Sequence, residues 1–137
     1  AFHTLPAQDG EEALLERWSA IRAIRADVQK EIEAVRTSGL VGSSLQAEVE
    51  IRLAGNAFDL LASLDDDLRF VLICSRTTLL KVSNDADDAI LVTPSPHKKC
   101  ERCWHYRDDV GHDAAYPELC GRCTSNLHGA GEARAHA

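Results

Sequence analysis

The sequence predicts an α+β fold: a long N-terminal helix, a small α/β module, and a ribbon-like C-terminal module held by a metal. Three observations carry this prediction. Apolar residues recur every three or four positions from Leu14 to Val35. The period then switches to strict alternation at Val49, Ile51 and Leu53. The last third holds four cysteines spaced Cys100-x2-Cys103-x16-Cys120-x2-Cys123. The expected divisions are residues 1–39, 40–93 and 94–137.

The first element follows an irregular start over residues 1–8. Asp9 with Glu12 three residues later has the form of a capping box, which predicts a helix beginning there. Leu14, Trp18, Ile21, Ile24, Val28, Ile32 and Val35 make one apolar stripe, and charged residues occupy the remaining surface. The helix is expected to end between Arg36 and Gly39. A stripe of this length needs a cover. The chain opens Ala1-Phe2-His3 and contains no methionine, so it is expected to be a piece of a longer protein.

In the middle segment, Val49, Ile51 and Leu53 alternate with Glu48, Glu50 and Arg52, predicting a strand with one wet face. Asn56 is placed to cap a short helix that buries Phe58, Leu61 and Leu64. The apolar run over 70–74 reads as a buried strand, and residues 79–82 and 90–92 as two more. The carboxylate clusters Asp65-Asp66-Asp67 and Asp85, Asp87, Asp88 lie between these elements. The second lacks the Gly and terminal Glu of a calcium loop, and solvated loop charge is the expected role of both. The segment has no Gly-rich phosphate loop, nucleophile elbow or His-Glu-x-x-His, so no catalytic residue is expected.

Thr93-Pro94-Ser95-Pro96 opens a linker into the cysteine module. Tetrahedral zinc takes four thiolates, and a Cys-x2-Cys turn brings two of them to one ion without strain. Two such turns about 15–20 residues apart match a structural zinc finger. Cys100, Cys103, Cys120 and Cys123 are therefore the expected ligands of one structural zinc ion, with no corner left for a catalytic water. The rival readings are weaker. Disulfides lack a signal peptide to support them, a thioredoxin-like motif needs only one such turn, and Trp104 stands where haem attachment needs a histidine. His105 and His112 could replace a cysteine ligand but are expected to be solvated loop histidines, and Cys74 a small buried hydrophobe. With few apolar residues, this module depends on the metal for its folding free energy, on the order of 10 kcal/mol or more. The tail after Asn126 is expected to fray.

Charge narrows the partners. The formal net charge of −7 argues against a free-standing, non-specific nucleic-acid binder. The acid excess lies before residue 94, whereas residues 94–137 hold six Lys/Arg against six Asp/Glu. Lys98, Lys99, Arg102, Arg107 and Arg122 surround the cysteines, and a four-thiolate zinc centre offsets them by about −2. No apolar run approaches the roughly 20 residues that span a bilayer, so no membrane partner is expected.

Lys99-Cys100-Glu-Arg-Cys103-Trp104-His105-Tyr106 and Leu119-Cys120-Gly121-Arg122-Cys123-Thr-Ser-Asn126 closely resemble the C-terminal zinc finger of bacterial isoleucyl-tRNA synthetases. Upstream, Glu33-Ala34-Val35-Arg36 and then Val41-Gly42-Ser43-Ser44-Leu45-Gln46-Ala47 are similar to the junction after that family's anticodon-binding helices. Leu68-Arg69-Phe70-Val71-Leu72-Ile73-Cys74-Ser75 resembles its next characteristic segment. The resemblance runs from about residue 11 onward. It implies a cytoplasmic, monomeric class I ligase that activates isoleucine with ATP and charges tRNA(Ile). The catalytic signatures His-Ile-Gly-His and Lys-Met-Ser-Lys-Ser are absent, so ATP chemistry belongs to other domains of such an enzyme. This segment would help dock the tRNA and would contact those domains.

Within that resemblance, Trp104 and Tyr106 are expected to stack on unpaired bases, at about 1–3 kcal/mol each. Arg102, Arg107, Arg122, Lys98 and Lys99 are expected to grip phosphates. The alternative is that the aromatics supply the module's small core and the cations only solvate its surface. Two other functions share the spacing. The zinc finger of formamidopyrimidine-DNA glycosylases has it too, but that family carries an arginine before the third cysteine, where this chain has Ala114-Ala115-Tyr116-Pro117-Glu118-Leu119. A zinc ribbon that docks only protein is the third class.

Overall fold

The computed structural model of the chain describes His3 and residues 6–132. The expected irregular start and fraying tail fall partly on residues 1, 2, 4, 5 and 133–137, outside the described residues.

Helix α1 spans Glu11–Thr37. The capping box on Asp9 does not form: Gly10, at φ 81°, is the N-cap, and no side chain caps it. The local reach-back is shifted by one residue, with the Glu11 carboxylate accepting from the Gln8 N–H at 3.3 Å. Glu11 and Glu12 also place acid in the first turn, where the helix dipole favours it. The C-terminus closes as a Schellman motif: Leu40 N–H donates to Val35 O and Gly39 N–H to Arg36 O. Gly39, at φ +80°, supplies the left-handed turn that this ending needs. Along the stripe Ile21, Val28 and Ile32 are fully buried and Trp18 and Ile24 pack against the same core, whereas Leu14 remains 52% exposed.

The core that receives α1 is a three-stranded sheet ordered β2-β1-β3. Strand β1 (Ala47–Leu53) lies in the centre and buries Ala47, Val49, Ile51 and Leu53, as alternation predicts. Strand β2 (Arg76–Lys81) runs parallel to it, and β3 (Ala89–Pro94) antiparallel. Ile51 stands between Leu79 and Ile90, so one register aligns all three apolar faces.

Parallel neighbours need a crossover. Helices α2 (Gly55–Ala62) and α3 (Leu68–Leu72) provide it. The expected cap on Asn56 is wrong: Ala54 is the N-cap, and its own N–H is held by the Asp88 carboxylate at 2.9 Å. The expected strand over 70–74 is also wrong. Leu64, Leu68 and Leu72 are the buried residues, four apart, while Phe70 and Val71 are half-buried and Ile73 is exposed. That period is helical. Ile73 then adopts φ 57°, an unusual conformation for a β-branched residue, and turns the chain so that Cys74 and Ser75 are wholly buried. Burial of Leu72 and Cys74 on either side holds this strained turn in place.

Beyond the sheet, β4 (Lys98–Lys99) and β5 (Tyr106–Arg107) form a small antiparallel ribbon, followed by α4 (Gly121–His128). A second core gathers Cys100, Val110, Cys120 and Cys123, with Cys103 and Leu119 against it. The mixed helix and sheet architecture with its long first helix is as the sequence predicts. Where the tail is expected to begin, α4 continues through His128, whose ring stacks on Tyr116 at 4.0 Å. Glu132 pairs with Arg122 at 2.5 Å. Among the described residues no helix is long and apolar enough to cross a membrane.

Candidate metal centre and its basic surround

The first cysteine turn hangs from the ribbon. Cys100 N–H donates to His105 O at 2.9 Å, and Trp104 N–H returns to Cys100 O at 2.9 Å. Trp104 takes φ 65° to close this turn. The second turn opens a helix: Cys120 is the N-cap of α4 and Cys123 sits in its first turn. Cys120 N–H also points to Cys100 Sγ at 3.4 Å, tying the two turns together.

The four Sγ atoms lie within 4.8 Å of one another, and Cys103 and Cys120 approach to 3.8 Å. Corners of a tetrahedron with zinc–sulfur distances of about 2.3 Å stand about 3.8 Å apart, so the donor set fits such an ion. All five cysteines are free thiols and none forms a disulfide. Among the described residues no other group of His, Cys, Asp or Glu is placed to share an ion. As free thiols, Cys120 is pushed above the usual range by its hydrogen bond to Cys103 and by burial, and Cys123 by burial. A bound metal displaces those protons.

Loop chemistry around the turns is tight. Gly111, at φ +84°, lies so near Pro117 that a Cβ would meet its carbonyl oxygen at 2.9 Å. Asp109 accepts from Gly121 N–H at 3.1 Å and so caps α4 from the ribbon side. His105 stands outside the four-sulfur cluster and is half-buried, not solvated as expected. Its Nδ1 lies 3.1 Å from Cys103 O, its ring meets Phe70 edge-on at 5.6 Å, and burial lowers its pKa. His112 is exposed.

The cations expected near the metal separate into distinct roles. Arg102 Nη1 points at Cys123 Sγ from 3.6 Å. Lys99 Nζ lies 5.8 Å over the Trp104 ring and 3.8 Å from Glu101. Lys98 is exposed on the ribbon, and Arg107 lies 3.9 Å from Asp109. Arg122 instead turns inward, binding Glu132 and lying 4.7 Å over the Phe70 ring of α3. Trp104 is 60% exposed, so it does not build the module's core. Tyr106 is half-buried, with its N–H donated to Ser75 Oγ at 2.6 Å.

Phe70 and Ser75 are thus the residues that seat the cysteine module on the sheet, and the sequence does not reveal them. Both lie in an apolar stretch whose period says only that it is buried. Phe70 sits between two guanidinium groups, Arg69 at 4.6 Å and Arg122 at 4.7 Å, an arrangement that favours cation–π attraction.

A family model described as "Zinc finger found in FPG and IleRS" matches residues 98–126, the span that holds both cysteine turns. Over 136 residues the chain is 57% identical to the isoleucine–tRNA ligase of Azoarcus sp. (strain BH72), covering 99% of this chain. It is 59% identical to that of Thiobacillus denitrificans over 135 residues and 58% identical to that of Bordetella avium over 136. The chain spans only about 15% of the length of these relatives.

Proposed function

We propose, on the premise that this chain is homologous along nearly its whole length to one segment of bacterial isoleucine–tRNA ligases, that it is the zinc-stabilised segment through which such a ligase docks tRNA(Ile). Zinc held by Cys100, Cys103, Cys120 and Cys123 would supply rigidity alone, because four thiolates close its coordination. The residues around it do the recognition. Trp104 holds its indole out in solvent on a turn fixed by Cys100, with the Lys99 ammonium above the ring. This exposed aromatic is the observation that carries the reading, since a rigid ring beside a cation suits stacking on an unpaired base. Lys98, Arg102 and Arg107 sit on the same module to hold phosphates, while Tyr106 and Arg122 serve mainly to seat it on the sheet. Isoleucine activation and transfer belong to the remaining domains of the ligase.

The test is deletion of residues 94–137 from a full-length isoleucine–tRNA ligase carrying this segment. Isoleucine-dependent ATP–pyrophosphate exchange should persist while tRNA charging falls. Loss of both would make the segment a general folding element, and retention of both would remove it from tRNA docking.

A further inference from the structure

A groove of about 540 Å³ opens between α2, β2 and the metal ribbon. Phe58 and Leu79 line it, with Lys81 Nζ 5.0 Å from the Phe58 centroid, and Arg69, Arg76 and Arg107 reach it from three different elements. Their charges are unequally satisfied. Arg69 is nearly buried and bound to Asp66 at 2.5 Å. Arg107 has only a distant contact, 3.9 Å to Asp109. Arg76 is exposed and has no ion pair among the described residues.

Arg76 and Arg107 share this groove for a structural reason. Each directly follows one end of the Ser75–Tyr106 hydrogen bond, so the contact that docks the ribbon also brings both residues to line the same groove. Both line a second, smaller depression of about 50 Å³ beyond that contact. Two acids share this depression: Glu48 is engaged by Ser95 Oγ at 2.7 Å and His97 at 3.7 Å, and the exposed Asp108 offsets one of the two arginines. Asp65 and Asp66 also line the large groove; Asp66 is paired with Arg69, so three arginines face two carboxylates there. Two like charges lining one groove are both stabilised by an anion bound between them. Planar guanidinium groups match phosphate oxygens, and a neighbouring aromatic floor accepts a ribose or base face.

We propose that this groove is a second RNA-binding site, in which Arg76 and Arg107 together hold a backbone phosphate and Phe58 with Leu79 receives the adjoining nucleotide. The proposal rests on the tRNA-docking reading above and extends it from the metal turn onto the sheet. It also gives the metal a further consequence: half of the phosphate clamp belongs to the ribbon, so the clamp exists only when the ribbon is folded and docked.

The experiment measures binding of tRNA(Ile) transcript to full-length ligase across a range of salt concentrations, for wild type, Arg76→Gln, Arg76→Lys and Trp104→Gly. Arg76→Gln should weaken binding by about threefold to tenfold and lower the slope of log K against log [salt] by about 1, with Arg76→Lys largely restoring the slope. Zinc content, measured on the same samples, should remain at one ion per chain. If Arg76→Gln leaves affinity and slope unchanged while Trp104→Gly weakens binding, the groove proposal is overturned and the docking reading stands. If neither variant, nor deletion of residues 94–137, changes tRNA binding, both fail. If Arg76→Gln leaves tRNA affinity intact but exposes the segment to limited proteolysis in the full-length ligase, the groove holds protein rather than RNA.

Discussion

Ser75 and Tyr106 lie 31 residues apart, and the buried Ser75 hydroxyl joins them by accepting the Tyr106 N–H at 2.6 Å. The same hydroxyl donates to Leu45 O, and Ser75 N–H donates to Ala47 O. One residue therefore fastens three parts, its side chain holding the ribbon and the segment preceding β1 and its backbone N–H holding the sheet. Ser75→Ala should cost about 1–3 kcal/mol, because it leaves buried backbone groups without partners. Urea denaturation of the zinc-loaded protein measures the loss. Hydrogen exchange at Tyr106 should accelerate beyond that at core positions such as Ile51; uniform acceleration would mean Ser75 has no docking role.

Cys74 gives stability a pH dependence. Its thiol is buried, and desolvation pushes its pKa from 9.0 up to about 11, partly opposed by hydrogen bonding to Thr77 and Arg76 O. The folded chain then holds the proton more tightly than the unfolded one. The associated stabilisation is fully present below about pH 9 and is lost as pH rises toward 11. Two pKa units correspond to about 3 kcal/mol as an upper order of magnitude. Zinc-loaded Cys74→Ala will be less stable at neutral pH because it leaves a small cavity. Between pH 8.5 and 11, however, its Tm should decline less steeply than that of wild type. Parallel declines would show that Cys74 does not titrate in this window.

Gly111→Ala tests the loop between the cysteine turns. The added methyl would meet Pro117 O at 2.9 Å, and φ +84° is unfavourable for alanine. A loss of about 1–3 kcal/mol is expected. It should show as faster zinc transfer to a competing chelator, because this loop joins the two halves of the metal centre. Unchanged transfer kinetics would mean the loop yields without moving the cysteines.

Trp104→Gly separates structure from recognition. Glycine relieves the φ 65° backbone, and the exposed indole contributes little burial. Thermal stability and zinc content should be maintained or rise slightly, while tRNA affinity falls by about 1–3 kcal/mol. A fall in stability with unchanged tRNA binding would assign Trp104 to folding instead.

The parts of the chain that were legible beforehand share one property: local spacing decides them. The alternation at Val49, Ile51 and Leu53 placed β1, because a strand exposes successive residues to opposite faces whatever surrounds it. The stripe of α1 was legible for the same reason, and so was the pairing of cysteine turns. The misreadings arose where local signals competed. Asp9 looked like a cap, but Gly10 could take the left-handed conformation that starts α1. The run from Phe70 to Cys74 looked like a strand because contiguous apolar residues do not reveal their period. The buried series Leu64, Leu68, Leu72 becomes apparent only once the crossover from β1 to β2 is known.

By itself, the sequence determined the long helix, the central strand and a four-cysteine centre suited to zinc, since each follows from residue spacing and ligand chemistry. Only the tertiary structure decided which way the cations face. It turned Arg122 inward onto Phe70, aimed Arg102 at Cys123, left Trp104 in solvent, and brought Arg76 and Arg107 to line one groove. The physical reason is that long charged side chains and short hydroxyls choose partners by proximity in three dimensions. That proximity is created by the crossover and by the docking of the metal ribbon on the sheet, neither of which leaves a periodic mark in the chain.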